Sequence, residues 1–370
     1  MAEAKRFDSI AEIGREAWNA CVSGALEDYD YFLAIERSHI KDFTHAYYAM
    51  VEDGTVLAVL PLFFTQYDLV TTAEGWVKTL LSAIKRVFPS LMLLKLACLG
   101  CAETECCPIG MHPSCPPEKK CLLFEQLLQC FEEDAEARHI SLLGIKDVST
   151  QDTTHYAAIL DAHGFCGVAG QPTALLPIDF SSIDDYLSRL SAATRKDLRR
   201  KLRKRNDIRI EYRQQIDDVL KDVYAMYLET KARSDWQFEE LTRDYFREVL
   251  NCMGERGLCA VYFHGDRPVA ANLMLLDHER LLDKFFCMRR DEGRAYNLYF
   301  LSWLANLQLC LDRGLRYYQS GQAGYETKLR LGSRLLENRI YFRHRHRIAN
   351  RLLRLISPLL AFTPPKGKTA

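Results

Sequence analysis

Hydrophobic positions along the chain switch between two periods, and the order of the switches outlines a fold. Two β-rich runs, Ala46–Val51 and Val56–Phe64, flank Asp53-Gly54, a dipeptide suited to a tight hairpin turn. Further strands are expected at Met92–Leu99, Ile140–Ile145 and Thr173–Ile178. Apolar residues at helical spacing predict helices from Ser9 to about Cys21, and over Tyr29–His39, Trp76–Val87, Cys121–Ala137 and Thr153–His163. The first opens on a capping box, Ser9 with Glu12.

The second half repeats this order. Ser182 starts a helix that the basic segment Thr194–Arg205 continues or restarts. A strand (Ile208–Tyr212), helices (Ile216–Arg233, Thr242–Gly254) and a hairpin (Cys259–Phe263, Val269–Leu276) follow. Next come a strand (Leu281–Met288), a polar loop (Arg289–Tyr296) and a helix (Asn297–Arg313) with Leu298, Leu301, Leu304, Leu307 and Leu311 on one face. Gly314 stops that helix, a short strand Leu315–Tyr318 returns, and Ser320–Gly332 reads as a glycine-punctuated loop. A last strand, Leu335–Phe342, is expected to close the unit. The repeated order predicts an α/β (α+β) protein of two tandem modules, each a mixed sheet flanked by helices. The expected limits are 1–170 and 171–342, with a basic amphipathic tail over 343–370.

Composition adds limits. The chain is 48% hydrophobic and 26% charged, as a globular protein is. Its 49 basic and 49 acidic side chains cancel, so nucleic acid is not the obvious partner. Met1–Arg6 has no apolar stretch behind it, as a secretory signal would, and no apolar segment reaches the roughly 18 residues of a membrane span. Thirteen cysteines without such a signal suit a reducing cytoplasm. Cys98, Cys101, Cys106, Cys107, Cys115 and Cys121 crowd one region, but adjacent Cys106-Cys107 is poor zinc geometry, so no metal is expected.

Charge is unevenly placed. Arg289, Arg290 and Arg294 crowd the start of the helix at Asn297, where free backbone N–H groups attract phosphates; the alternative is a solvated basic loop. Thr194–Arg205 is the densest charge in the chain, with Leu198 and Leu202 docking one helix face. Its cations, Arg195 and Arg199 among them, either contact a polyanion or form a solvated surface. Trp236 and Phe238 either line a pocket or staple a loop to the core. The tail, basic on one side and leucine-rich on the other, packs on its own protein or an oligomer partner, or lies on an anionic membrane.

Gly265-Asp-Arg-Pro-Val-Ala-Ala-Asn272, the helix from Asn297, and Gly321…Gly324-Tyr-Glu-Thr-Lys328…Gly332 resemble the C-terminal half of GNAT-related acyltransferases. More narrowly the chain resembles CelD-like acetyltransferases, relatives of the Fem aminoacyl transferases of peptidoglycan cross-bridges. The likeness covers Leu175–Phe342 well and the first half loosely. It implies two GNAT-type modules, with Lys328 supporting a developing oxyanion. Beside it, Tyr325 could protonate a leaving thiolate and Glu326 could deprotonate an attacking amine. Arg289, Arg290, Gly293, Arg294 and Asn297 would hold the donor; Arg195, Arg199, Trp236, Phe238 and Gly324 would hold substrate. The donor loop departs from the usual Arg/Gln-x-x-Gly-x-Gly/Ala pattern, having one glycine.

The expected function is a cytoplasmic N-acyltransferase that moves an acyl group from acyl-CoA or acyl carrier protein to an amine acceptor. Two alternatives stand beside it. One is a Fem-like transferase using aminoacyl-tRNA and a peptidoglycan precursor. The other is a non-catalytic, membrane-associated binding protein with this fold.

Overall fold

The computed structural model describes residues 2–68, 93–234 and 238–362, together with 79, 82, 83, 85 and 86. The first part of the chain forms strands Glu3–Phe7 (β1), Phe43–Glu52 (β2), Thr55–Asp68 (β3), Leu93–Leu99 (β4), Gly110–Met111 (β5), Leu142–Ser149 (β6) and Cys166–Ala169 (β7). Helices Arg15–Cys21 (α1), Tyr29–Arg37 (α2), Pro117–Ala137 (α3) and Thr150–Ala162 (α4) lie between them. The second part forms Thr173–Pro177 (β8), Arg209–Arg213 (β9), Gly257–His264 (β10), Arg267–Leu276 (β11), Arg280–Met288 (β12), Tyr317–Gln319 (β13) and Arg334–Leu336 (β14). Its helices are Ile183–Arg189 (α5), Ala192–Lys201 (α6), Leu220–Lys231 (α7), Arg243–Met253 (α8), Arg290–Ala295 (α9), Leu298–Asp312 (α10) and Tyr325–Arg330 (α11). A final strand, Asn338–His344 (β15), and helix, Arg347–Leu360 (α12), end the described chain.

These strands make two mixed sheets, ordered β1-β2-β3-β4-β6-β15-β7 (with β5 on β3) and β14-β8-β13-β12-β11-β10-β9. Each is flanked by helices, as expected. The central strands read as continuous apolar runs because both faces are covered. In β2, Tyr47 and Ala49 enter a core shared with α1, α2, α7 and α8, whereas Ala46, Tyr48 and Met50 enter a core with α3 and α4. In β10, Cys259 and Val261 join the shared core, and Ala260 and Tyr262 face α10. The molecule is therefore layered, with helices α1, α2, α7 and α8 packed between the sheets. Tyr31 and Tyr245 meet there hydroxyl to hydroxyl at 2.7 Å, and Arg256 pairs with Asp28 and Asp30 across the same interface. Side-chain N-caps at Asp28, Ser149, Ser182, Ser191 and Thr242 start five of the helices.

Three expectations need correction, and one open alternative is decided. The Ser9 capping box forms, but it opens a 3-10 turn, and Gly14 at φ 87° separates this from α1. The Thr194–Arg205 segment restarts at Ser191 rather than continuing α5, because Leu190 is extended. The loop Ser320–Gly332 contains a helix, α11, begun by Gly324 in the left-handed region. The strand expected at Leu335–Phe342 is two strands parted at Glu337: β14 pairs with β8 in the second sheet, while β15 crosses to the first and inserts between β6 and β7. The helix expected over Trp76–Val87 lies largely outside the described residues, as does Trp236.

Candidate active site

Each sheet contains a parallel pair that starts together and then parts. In the second sheet β12 and β13 pair over Arg280–Leu282 and Tyr317–Gln319. Beyond that point Asp283 and Lys284 on one strand and Ser320 and Gly321 after the other are no longer paired to each other. In the first sheet β4 and β6 pair as far as Leu99 and Ile145, then part at Gly100 and Lys146. Residues from the two openings meet. Their polar side chains form one buried network between the sheets.

A bulge in β12 shapes the network from the second sheet. Leu273 faces Phe285 and Met274 faces Asp283, leaving Lys284 as the extra residue. The bulge turns Lys284 toward the first module, where it pairs with Glu27 and donates to the Glu103 carbonyl at 2.7 Å. Burial opposes its charge, but Glu27, Tyr245 and Glu105 outweigh burial and raise its pKa. From the first sheet, Lys146 pairs with Asp147 and donates to the Thr104 carbonyl at 2.7 Å.

Lys328 sits at the centre of the second-sheet opening. It is 5% exposed, and its ammonium donates to the carbonyls of Ser320 and Gly321. Two of its three protons are thereby used. Burial pulls its pKa down to about 8, with Asp283 and Glu105 acting in the opposite direction. Asp283 accepts from Tyr318 (2.8 Å) and Asn306 (3.2 Å), and burial raises its pKa. Across the module boundary stands Glu105, whose carboxylate accepts from Gln319 at 2.6 Å. Burial is the largest cause that carries its pKa to about 7, with Glu27 adding to it and Lys284, Gln319 and Lys328 opposing. A carboxyl group and an ammonium, both poised near neutral pH, thus face one opening.

The other predicted residues separate into groups. Tyr325 is buried beside Lys328 on α11, but its hydroxyl donates to the Pro172 carbonyl (2.9 Å) and its ring packs on Phe362. Glu326 is exposed on the same helix, and Gly324 caps it. Arg289 is held by Asp222 and Glu229 and by the Pro268 carbonyl. Gly293 is buried against Met288, where a Cβ would come within 2.5 Å of the sulfur. Arg290 and Arg294 remain exposed at α9. Asn297, in the left-handed region before α10, donates to the Lys201 carbonyl at 3.3 Å. That bond brings the basic helix to the donor loop: Lys201 lies over Phe300 and Lys204 over Tyr296. Arg199, Arg200, Arg203 and Arg205 are exposed along the same stretch. Arg195 instead turns inward, donating to the carbonyls of Leu187, Ser188 and Leu190 at the end of α5. Phe238 packs edge-on to Phe43 and Phe63 of the first module.

Glu105 and Lys284 escaped sequence reading. Lys284 sits in an apolar strand, and only the bulge turns it inward. Glu105 lies among cysteines in a stretch without periodicity. The same stretch sets His45 Nε2, Cys101 Sγ and a Glu103 carboxylate oxygen within 4.8 Å of one another, and Glu103 Oε1 is buried without a hydrogen-bond partner. That is a donor set of the kind zinc accepts. Cys101 donates to Glu103 at 2.9 Å, and burial and then Glu103 push its pKa well up. All thirteen cysteines are free.

The FemAB-like family, described as peptidoglycan biosynthesis/recognition, matches residues 9–354. The chain belongs to the FemAB-like family. The FemAB-like chain is also 26% identical over 331 residues to a Mycobacterium tuberculosis protein provisionally named 8-amino-7-oxononanoate synthase 2. That match covers 85% of this chain but 42% of the relative, so this chain spans less than half of that protein. Among solved structures, FemX superposes with a TM-score of 0.59 at 13% identity, covering 96% of this chain and 100% of FemX. A tandem GNAT protein from the clavulanic acid biosynthesis pathway gives 0.55 at 13% identity, covering 92% and 98%. Both likenesses are of fold.

Proposed function

We propose that this FemAB-like protein transfers an acyl group to an amine by direct attack, in the opening between β12 and β13. The meeting of Lys328 and Glu105 across the module boundary carries this proposal. In the proposed reaction the acceptor attacks as a neutral amine, and Glu105, as carboxylate, takes the one proton that nitrogen loses as the C–N bond forms. The new C–N bond forms as the carbonyl π pair moves onto oxygen, where the remaining proton of Lys328 stabilises the charge. Collapse restores the carbonyl and breaks the bond to the carrier, and the proton on Glu105 passes to the leaving atom. No step uses a resident metal. Tyr325 is proposed to fix α11 through Pro172, rather than to supply the proton.

The donor is proposed to be an activated acyl or aminoacyl group on a phosphate-bearing carrier. The basic stretch Lys196–Arg205 lies against the start of α10, so phosphates entering there would meet its cations. The family description and the FemX likeness favour aminoacyl-tRNA over coenzyme A, and the length of the basic surface suits a long polyanion. An acyl thioester is the second candidate, supported by the tandem GNAT likeness. The named product of the mycobacterial relative carries an amino group, which makes a small amino ketone a candidate acceptor. A thermal-shift panel with aminoacyl-tRNA, acetyl-CoA and long-chain acyl-CoA tests the donor, since only a ligand that prefers the folded state raises Tm. A shift with none of the three would remove the transfer proposal.

A further inference from the structure

Helix α12 is built in reverse of an ordinary surface helix. Its inward side docks on the edge formed by β7 and β15. There Asn350 donates to the Gly164 carbonyl at 3.0 Å and accepts from the His344 N–H at 2.9 Å. Arg354 reaches the Phe165 carbonyl, and Leu353 packs on a small core beside β4. The outward side should then be polar. Instead it carries Ile348, Leu352, Leu355 and Ile356, which are 63, 58, 76 and 44% exposed. Their spacing of four, three and one places all four on one stripe. Among the described residues, half of the large apolar side chains left exposed lie on this single helix.

We propose that this stripe docks on the surface of an anionic lipid bilayer. Charge selects that occupant. No acidic residue follows Glu337 in the chain, although the whole chain is formally neutral. Arg347 and Arg351 are exposed at the margin of the stripe, with no ion-pair partner among the described residues, and Arg345 stands before them paired to Glu136. Arginine beside an aliphatic stripe matches acyl chains beneath anionic headgroups. A second copy of the chain would bring the same arginines toward one another. A nucleic acid would use the arginines and leave the aliphatic stripe in water. No described helix is long and apolar enough to cross a membrane, so the contact lies in the interface. Docking does not depend on which donor the cleft accepts.

The test is co-sedimentation of the full chain with vesicles of phosphatidylcholine containing about 30% phosphatidylglycerol, against pure phosphatidylcholine. Binding to the anionic vesicles is expected, with little to the neutral ones, and it should weaken as salt rises. The pair Leu352→Glu and Leu355→Glu should reduce binding at least about tenfold, while circular dichroism and Tm stay unchanged because both side chains face outward. Should that pair disturb folding, Arg347→Glu with Arg351→Glu reports the electrostatic half by itself. Absence of binding to anionic vesicles would overturn the proposal. So would equal binding by wild type and both variants, or a dimer seen by sedimentation velocity that the leucine pair abolishes.

Discussion

In the proposed reaction two side chains from opposite halves of the chain act together, and their protonation governs the expected pH dependence. Glu105 must lose its proton and Lys328 must keep its own, so turnover should rise through about pH 7 and fall through about pH 8. Glu105→Gln should remove the acid limb together with most of the rate; an acid limb that survives this change assigns the base elsewhere. Lys328→Met, which keeps the buried stem, should lower kcat about 100-fold or more. Near-wild-type turnover in that variant would take Lys328 out of the reaction. Stability carries a separate signature. Glu105 binds its proton more tightly folded than unfolded, so it opposes folding increasingly as pH rises from 4.5 to about 7. Glu105→Gln should flatten that slope in urea titrations. Among the described residues His45, Cys101 and Glu103 offer three donors, one short of a closed tetrahedral site, so purified protein should hold far less than one equivalent of zinc. Stoichiometric zinc lost on Cys101→Ser would make His45, Cys101 and Glu103 a metal centre.

Helices and strands with a clear period were legible in the sequence, and those set by distant contacts were not. The Asp53-Gly54 hairpin, α2, α3, α8 and α10 follow from local spacing and caps, and all form within a few residues of their expected limits. The β12 bulge has no local signal, because Leu281–Met288 reads as an unbroken strand; it is imposed by pairing with β11. Lys328 was singled out through the family resemblance, and its helix was missed, since six residues give too little periodicity to detect. Gly293 has a packing demand that the sequence does not show: the turn from β12 into α9 sets it on Met288, where a Cβ would come within 2.5 Å of the sulfur. Gly167 makes a comparable demand in β7, where a Cβ would lie 2.6 Å from the Tyr341 ring of β15. Gly167→Ala should therefore cost about 1–3 kcal/mol through overpacking. An unchanged midpoint in denaturant would show that the ring moves aside freely.

The two modules are tied by more than the linker between them. The core between the sheets draws on α1 and α2 from one half and α7 and α8 from the other, and β15 leaves the second half to pair inside the first sheet. Each tie has a consequence for cooperativity. A shared apolar core cannot be lost by one module alone, so unfolding in urea should give a single transition with coincident fluorescence and circular dichroism. Strand insertion makes the first sheet depend on the end of the chain. Without β15, β6 and β7 lose the strand that joins them, and their N–H and C=O groups lose partners in a buried place. Ending the chain at Glu337 leaves both nominal modules present in sequence, yet the truncated protein should lose its cooperative transition. Ending it at Arg345, which keeps β15 and removes α12, should preserve one. If instead the chain ending at Glu337 unfolds with the full-length midpoint, β15 is an accessory strand and the halves are separable. The same pair of truncations bears on the site. Glu105 and Lys328 come from different modules, so any change that lets the sheets part should abolish turnover before it abolishes secondary structure.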